Sequence, residues 1–260
     1  MINKIRREMN IIKEEKWIFP PRVRKDGTPI ERHDTKELII IQSDHFPLPV
    51  IAMSDIHAQT QLVIDKLDEK FYLEQFLVLT CGDMAGSLTM ATDGDPTDFY
   101  WQFLQKSLGF YFVQGNHDTP SKENIKILHE SDNMVKNGSS VNTPIGKISG
   151  VNGIISDKSH PYKMSQDEYL KHLNKALSSK PYILMTHDTP ALPKLKGNEE
   201  IYKMASKYKP KIYFYGHCHH KEFHHHINGT NYFNLDGRIL VFVPTGTNPV
   251  TLERSPSSDL

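Results

Sequence analysis

Strand-length apolar runs, each broken off by a polar loop and followed by a stretch of helical period, recur from about residue 37 onward. This alternation constrains the fold more than any other feature, because buried strands need helices to cover them and loops to turn the chain back. Runs rich in Val, Ile, Phe and Tyr lie at 37–42, 48–53, 75–80, 109–114, 181–186 and 211–215. Segments of helical period lie at about 59–70, 97–107, 121–130, 166–178 and 198–207. Toward the C-terminus, 222–227, 230–235 and 238–243 read as hairpin-linked strands, with Asn228-Gly229 and Asp236-Gly237 as turn pairs. The pattern predicts an α/β sheet core covered by helices and extended by the terminal meander in a second sheet. Residues 37–251 are expected to form one domain, 1–36 an extension lying on it with room for one helix at its start, and 252–260 a frayed tail.

Ligands of open α/β sheets gather where strands end, so the strand exits are the places to look for chemistry. Met53 leads into Ser54-Asp55-Ile56-His57, and Thr80 into Cys81-Gly82-Asp83. Gln114 leads into Gly115-Asn116-His117-Asp118, Thr186 into His187-Asp188, and Tyr215 into Gly216-His217-Cys218-His219-His220. The chain has 14 histidines against 2 cysteines. Carboxylate, amide and imidazole donors together suit borderline divalent ions with open positions, whereas structural zinc favours thiolates. If these exits keep strand alternation, Asp55 and His57 face one way, and so do His217 and His219, each pair able to grip one ion.

The order Asp-x-His, Gly-Asp, Gly-Asn-His-Asp, His, Gly-His-x-His resembles the calcineurin-like metallophosphoesterase superfamily across about residues 48–220. The resemblance implies a layered β-sandwich core flanked by helices, with ligands on loops at strand C-terminal ends. It implies that Asp55, His57, Asp83 and His219 hold one divalent metal, and that Asp83, Asn116, His187 and His217 hold a second, with Asp83 bridging. Manganese, iron and zinc all suit such ligands. His117 would stand by the phosphate as the catalytic group that helps the leaving oxygen depart, with Asp118 orienting it. The implied activity is dinuclear, metal-dependent hydrolysis of phosphate esters, as a phosphatase or phosphodiesterase, with metal-held hydroxide as nucleophile.

One departure narrows the substrate. Protein Ser/Thr phosphatases of the superfamily continue Gly-Asp with Asp-Arg-Gly, whereas this chain reads Gly82-Asp83-Met84-Ala85-Gly86-Ser87. The missing arginine counts against a phosphoprotein substrate and leans toward diesters and other small phosphorylated molecules. A non-catalytic protein-binding scaffold of the same fold is the alternative; it would be expected to have lost ligands or the leaving-group histidine, and none is lost here. A nuclease is the other alternative. With 31 Lys plus Arg against 31 Asp plus Glu, the formal net charge is zero, so nucleic acid is not an expected partner.

Other features take plainer readings. His220 and His224 to His226 are expected to line a strand or hairpin beside the site, and Cys81 and Cys218 to be buried small residues. Phe99, Tyr100, Trp101 and Phe103 fit core packing at helical spacing. Asp188 suits either a partner of His187 or a cap on the following turn. The segment 84–97, directly after Asp83, reads as a cover over the substrate or as an insertion. Charges interrupt the N-terminal MINKIRREMNIIKEEKW, so neither a secretory signal nor a membrane is expected. With so few cysteines, a reducing, cytoplasmic setting is expected.

Overall fold

The structure, a computed structural model, describes residues 10–20, 28, 34–85, 94–158 and 162–255. One six-stranded sheet holds, in spatial order, β1 (Asn10–Phe19), β2 (Asp34–Gln42), β14 (Arg238–Val243), β3 (Val50–Ser54), β4 (Leu77–Cys81) and β5 (Gly109–Val113). The other holds β12 (His224–Ile227), β13 (Thr230–Asn234), β11 (Ile212–Tyr215), β10 (Ile183–Thr186), β7 (Gly146–Val151) and β6 (Ser140–Thr143). A short parallel pair joins β8 (Ile154–Ile155) to β9 (Lys163–Met164). The helices are α1 (Thr60–Lys70), α2 (Thr97–Lys106), α3 (Lys122–Glu130), α4 (Gln166–Ser178) and α5 (Glu199–Tyr208).

Side-chain parity stacks these elements into four layers. Val50, Ala52, Leu77 and Leu79 of the first sheet share one buried cluster with Ile183, Met185, Ile212 and Phe214 of the second. Ile51, Met53, Val78, Phe110 and Phe112 point the other way, onto Val63, Ile64 and Leu67 of α1, Tyr100 and Phe103 of α2, and Leu128 of α3. On the far side, Leu184, Tyr213 and Tyr232 meet Tyr169, Leu173 and Leu177 of α4 and Ile201 and Ala205 of α5. Central strands are therefore apolar on both faces, which is why they read as continuous runs. The result is a β-sandwich between two helical layers.

The order of strands in the first sheet decides what the site can contain. β3, β4 and β5 are parallel, so their exits share one edge. β14 runs antiparallel to β3 and parallel to β2, pairing Arg238 with both Ser54 and Glu37. The beginnings of β2 and β14 therefore lie at the edge where β3 ends.

Two expectations need correction. The hairpin at Asn228-Gly229 forms between β12 and β13, with both turn residues at positive φ, +53° and +88°. No hairpin forms at Asp236-Gly237, because β13 belongs to one sheet and β14 crosses to the other. The apolar sequence of β14 suits a strand with neighbours on both sides and cover on both faces, rather than the end of a meander. At the other end of the chain, residues 10–19 pair along β2 as an edge strand, and the expected boundary at residue 36 falls inside β2. Residues 1–9, where a helix had room, lie outside the described residues. In the expected tail, Leu252 is buried and Arg254 N–H donates to Lys70 O at 2.8 Å.

Candidate metal centre

The backbone at the strand exits leaves the extended conformation at once. Asp55, His57, Asp83 and His217 have φ of +57°, +54°, +53° and +67°. A left-handed non-glycine residue costs about 1 kcal/mol or more, and such strain collects at functional sites. Strand alternation therefore does not govern which way these side chains point, and the expectation that His217 and His219 face one ion on that ground fails. Close approach also fixes two glycines. A Cβ on Gly115 would sit 2.1 Å from Asp83 Oδ1, and one on Gly216 would sit 2.3 Å from Asp55 Oδ2.

Among the described residues two groups of side chains converge, and Asp83 belongs to both. Asp83, His187 and His217 form one; Asp55, His57 and Asp83 form the other, with one ligand atom from each residue within 4.8 Å of its companions. Asp83 Oδ2 lies 3.1 Å from His187 Nε2 and 4.0 Å from His57 Nε2, and Asp55 Oδ1 lies 3.9 Å from His57 Nε2. The remaining carboxylate oxygens are held by the chain. His117 N–H donates to Asp83 Oδ1 at 2.9 Å, and Ser54 Oγ and His217 N–H donate to Asp55 Oδ2 at 2.6 and 3.0 Å.

The donor set fits a cation. Asn116 Oδ1 is buried with no hydrogen-bond partner among the described residues, an arrangement that costs stability unless something polar or charged meets it, and His187 Nε2 is buried with only the Asp83 carboxylate before it. His187 Nδ1 donates to Cys81 O at 2.8 Å, so Nε2, which faces Asp83, is the nitrogen whose proton a cation would displace. Carboxylates, an amide oxygen and imidazoles on loops around a shared carboxylate suit borderline divalent ions.

Electrostatics agree with that reading. Burial, the neighbouring Asp236 and Asp83 push the Asp55 carboxyl up to about 8. Burial also works against ionisation of Asp83, but His187, His57 and His117 outweigh it and hold Asp83 well below the usual range. Burial pulls the His187 imidazole down, yet Asp83 and Asp55 hold it up at about 10. His217 is pushed down to about 4 by burial and by His187. Protons in the protein alone thus stand where a cation's charge would be most effective.

The other residues expected from the sequence fall in distinct places. The His117 ring stands edge-on to His57, with centroids 5.5 Å apart. Asp118 spends its carboxylate on the loops: it accepts from the N–H groups of Asp83, Met84, Ala85 and Gly115 at 2.8–3.0 Å and from the Tyr100 hydroxyl at 3.2 Å. Its visible work is to shape the Asp83 loop, which differs from the expected orienting bond to the His117 side chain. Asp188 caps its own turn through Thr189 N–H and ties in β8 through Ile155 N–H. His219 joins neither group; its Nδ1 donates to Asp236 O at 3.2 Å and its Nε2 accepts from Arg238 at 3.2 Å. His224 and His226 sit on β12 and share Asn231 Oδ1, as expected for strand-lining residues. Most of the segment expected as a cover, 86–93, lies outside the described residues.

Sequence reading missed Lys36, Asp236 and Arg238. A cleft of about 480 Å³ beside Asp55, His57 and His219 is lined by Lys16, Lys36 and Asp236 as well. Lys36 Nζ donates to Asp55 O at 3.0 Å. These residues lie at or before the beginnings of β2 and β14, whereas a search of strand exits looks only at endings. The one signal was a charged residue opening each apolar run.

No curated protein matches the sequence. Among solved structures, TT1561 of Thermus thermophilus is similar at 16% identity, with TM-score 0.51, covering 73% of this chain and 89% of that one. Vps29 of Entamoeba histolytica, solved in complex with zinc, is 13% identical with TM-score 0.38, covering 73% of this chain and 74% of its own. At such identity the first likeness speaks for the fold alone. The calcineurin-like phosphoesterase model matches residues 48–221, which takes in every strand exit that carries the two ligand groups. The chain belongs to the calcineurin-like phosphoesterase family.

Proposed function

We propose that the chain is a two-metal hydrolase of small phosphate esters, acting on diesters before monoesters, in the cytoplasm. The observation that carries the reading is the sharing of Asp83 between the two ligand groups. When bound, two divalent ions supply positive charge to the phosphoryl oxygens and lower the pKa of water from about 15.7 toward 7. Asp55 and His57 would hold one ion, His187, His217 and Asn116 the other, and Asp83 both. Manganese, iron or zinc would serve.

The protein's own groups do the rest. Asp83 is fixed for bridging because the His117 N–H takes one oxygen and leaves the other facing the imidazoles. The His117 side chain, beside His57 at the partly open rim, is placed to give a proton to the departing oxygen. Asp118 keeps the Asp83 and Gly115 loops in register with one another. The unpaired Cys81 and Cys218 suit a reducing compartment. No arginine follows Asp83 before the described loop ends, which favours a substrate of lower charge than a monoester dianion.

The test is a substrate panel on protein loaded with manganese, zinc or iron, using bis(p-nitrophenyl) phosphate and p-nitrophenyl phosphate. Hydrolysis of the diester in excess of the monoester is expected. Asp83→Asn is expected to lose both ions by elemental analysis and to fall to background turnover. Failure of every aryl ester with every metal would overturn the reading.

A further inference from the structure

Arg238 is a buried arginine, 2% exposed, at the first position of β14 and outside the part of the chain that matches the family. Each of its bonds can be traced. Nε donates to Glu37 Oε2 at 2.9 Å, and Nη1 to Asn234 Oδ1 at 2.7 Å. Nη2 donates to His220 O at 2.8 Å and to His219 Nε2 at 3.2 Å, with Lys221 O at 3.5 Å. Asn234 in turn holds the same loop, through Cys218 O at 2.9 Å. The guanidinium is thus anchored at one end by an ion pair and clamps the loop 218–221 with the other.

The contact with His219 fixes that ring's chemistry. A guanidinium has donors and no acceptor, so Nε2 of His219 must offer its lone pair to Arg238. Nδ1 faces the carbonyl of Asp236 at 3.2 Å, and a carbonyl can only accept, so Nδ1 carries the hydrogen. Both ring nitrogens are therefore committed within the protein. A cation can take only a lone pair, and the one lone pair of neutral His219 is the one Arg238 holds. His219 borders the cleft beside Asp55 and His57 yet joins neither ligand group.

We propose that Arg238 is a positioning residue that competes with the metal for His219, so that the ion at Asp55 and His57 binds more weakly than the ion at His187 and His217 and gains its histidine only when His219 leaves the guanidinium. This rests on the two-ion reading of the site. The contrast lies in the ligands: His187 Nε2 already faces the shared carboxylate, 3.1 Å from Asp83 Oδ2, with its Nδ1 held by Cys81 O, whereas His219 must first give up a charge-assisted hydrogen bond to a residue outside the ligand groups. The device links the metal loop to β2 through Glu37, a strand that precedes the matched region.

Two measurements on the full chain test the proposal. The first is calorimetric titration of chelator-stripped protein with Zn²⁺. Two steps of unequal affinity are expected in the wild type. Arg238→Met is expected to tighten the weaker step about 10- to 100-fold, the usual reach of groups behind a ligand, and to leave the tighter step within about twofold. Glu37→Gln keeps the arginine, loosens its anchor and is expected to move the weaker step the same way by a smaller factor; it serves if Arg238→Met does not fold. Two steps that neither variant tightens would overturn the proposal alone, whereas the absence of a second step would overturn the two-ion reading and the proposal with it. The second is ¹⁵N NMR of histidine-labelled protein. His219 is expected as the Nδ1–H tautomer in stripped protein, to hold its shifts through the first equivalent of Zn²⁺ and to change them with the second. An Nε2–H tautomer, or a response to the first equivalent, would overturn the proposal.

Discussion

His117 and Asp118 adjoin in sequence and do different work. The His117 main-chain N–H orients Asp83, while its ring stands at the rim beside His57. His117→Ala is therefore expected to keep metal content near that of the wild type and to slow hydrolysis of alkyl esters by about 10²–10⁴. Aryl esters with nitrophenolate leaving groups should lose much less, because that anion departs without a proton. Equal losses on both would sink the proton-donor role, and parallel rate measurements with elemental analysis decide it. Asp118 is a different case. Burial and the nearby Asp83 push its carboxyl up to about 6, so its charge is tolerated at a cost for the sake of the backbone amides it accepts. Asp118→Asn turns an NH₂ toward at least one of those donors and is expected to cost about 2–3 kcal/mol in urea unfolding, with metal affinity falling as the Asp83 loop loosens.

Among the elements, the strands that carry ligands announce themselves and the strands that shape the cleft do not. β3, β4, β10 and β11 are apolar on both faces and were found as runs. β7, with the sequence GKISGV, lies between β10 and β6 and was missed, because a Cβ on Gly150 would come within 2.4 Å of Met185 O and the strand is built small to fit. β1 was missed because its outer face is charged and only Trp17 and Phe19 turn inward onto the cluster beneath α1. Phe19 is 2% exposed, so Phe19→Ala is expected to destabilise the whole domain by about 3–4 kcal/mol, measured by urea denaturation. A loss under about 1 kcal/mol would mean that β1 is appended to the fold rather than part of its core.

At the scale of the molecule, the site stores charge that the fold must tolerate. Asp55, raised to about 8 by burial and Asp236, and His187, held up at about 10 by Asp83 and Asp55 against burial, both bind protons more tightly folded than unfolded. The stabilisation from such groups is present while they are protonated and is lost as pH rises toward their folded values. Stripped protein is therefore expected to lose about 1–2 kcal/mol per pH unit between pH 7 and about 8.5. Saturating metal replaces those protons and should flatten the slope, because cations bind the deprotonated ligands. Urea unfolding at the two pH values, with and without chelator, measures it; a stripped protein no less stable at the higher pH would contradict the assignment.

What the sequence determined by itself was the alternation of strands and helices and the chemistry at each strand exit, since both depend on local periodicity and on residue type. The turn at Asn228-Gly229 belongs with these, because its positive φ values are a local preference. Asp236-Gly237 reads the same way and does something else, because sheet membership is set by which faces are buried, and β14 is buried on both. Only the tertiary structure decided that β14 runs against β3 and thereby carries Asp236 and Arg238 to the end of that strand. Only it decided that His217 turns toward Asp83 while His219, two residues on, turns to Arg238. Ligand type is written residue by residue; ligand direction depends on left-handed turns and antiparallel neighbours, which a strand pattern does not encode.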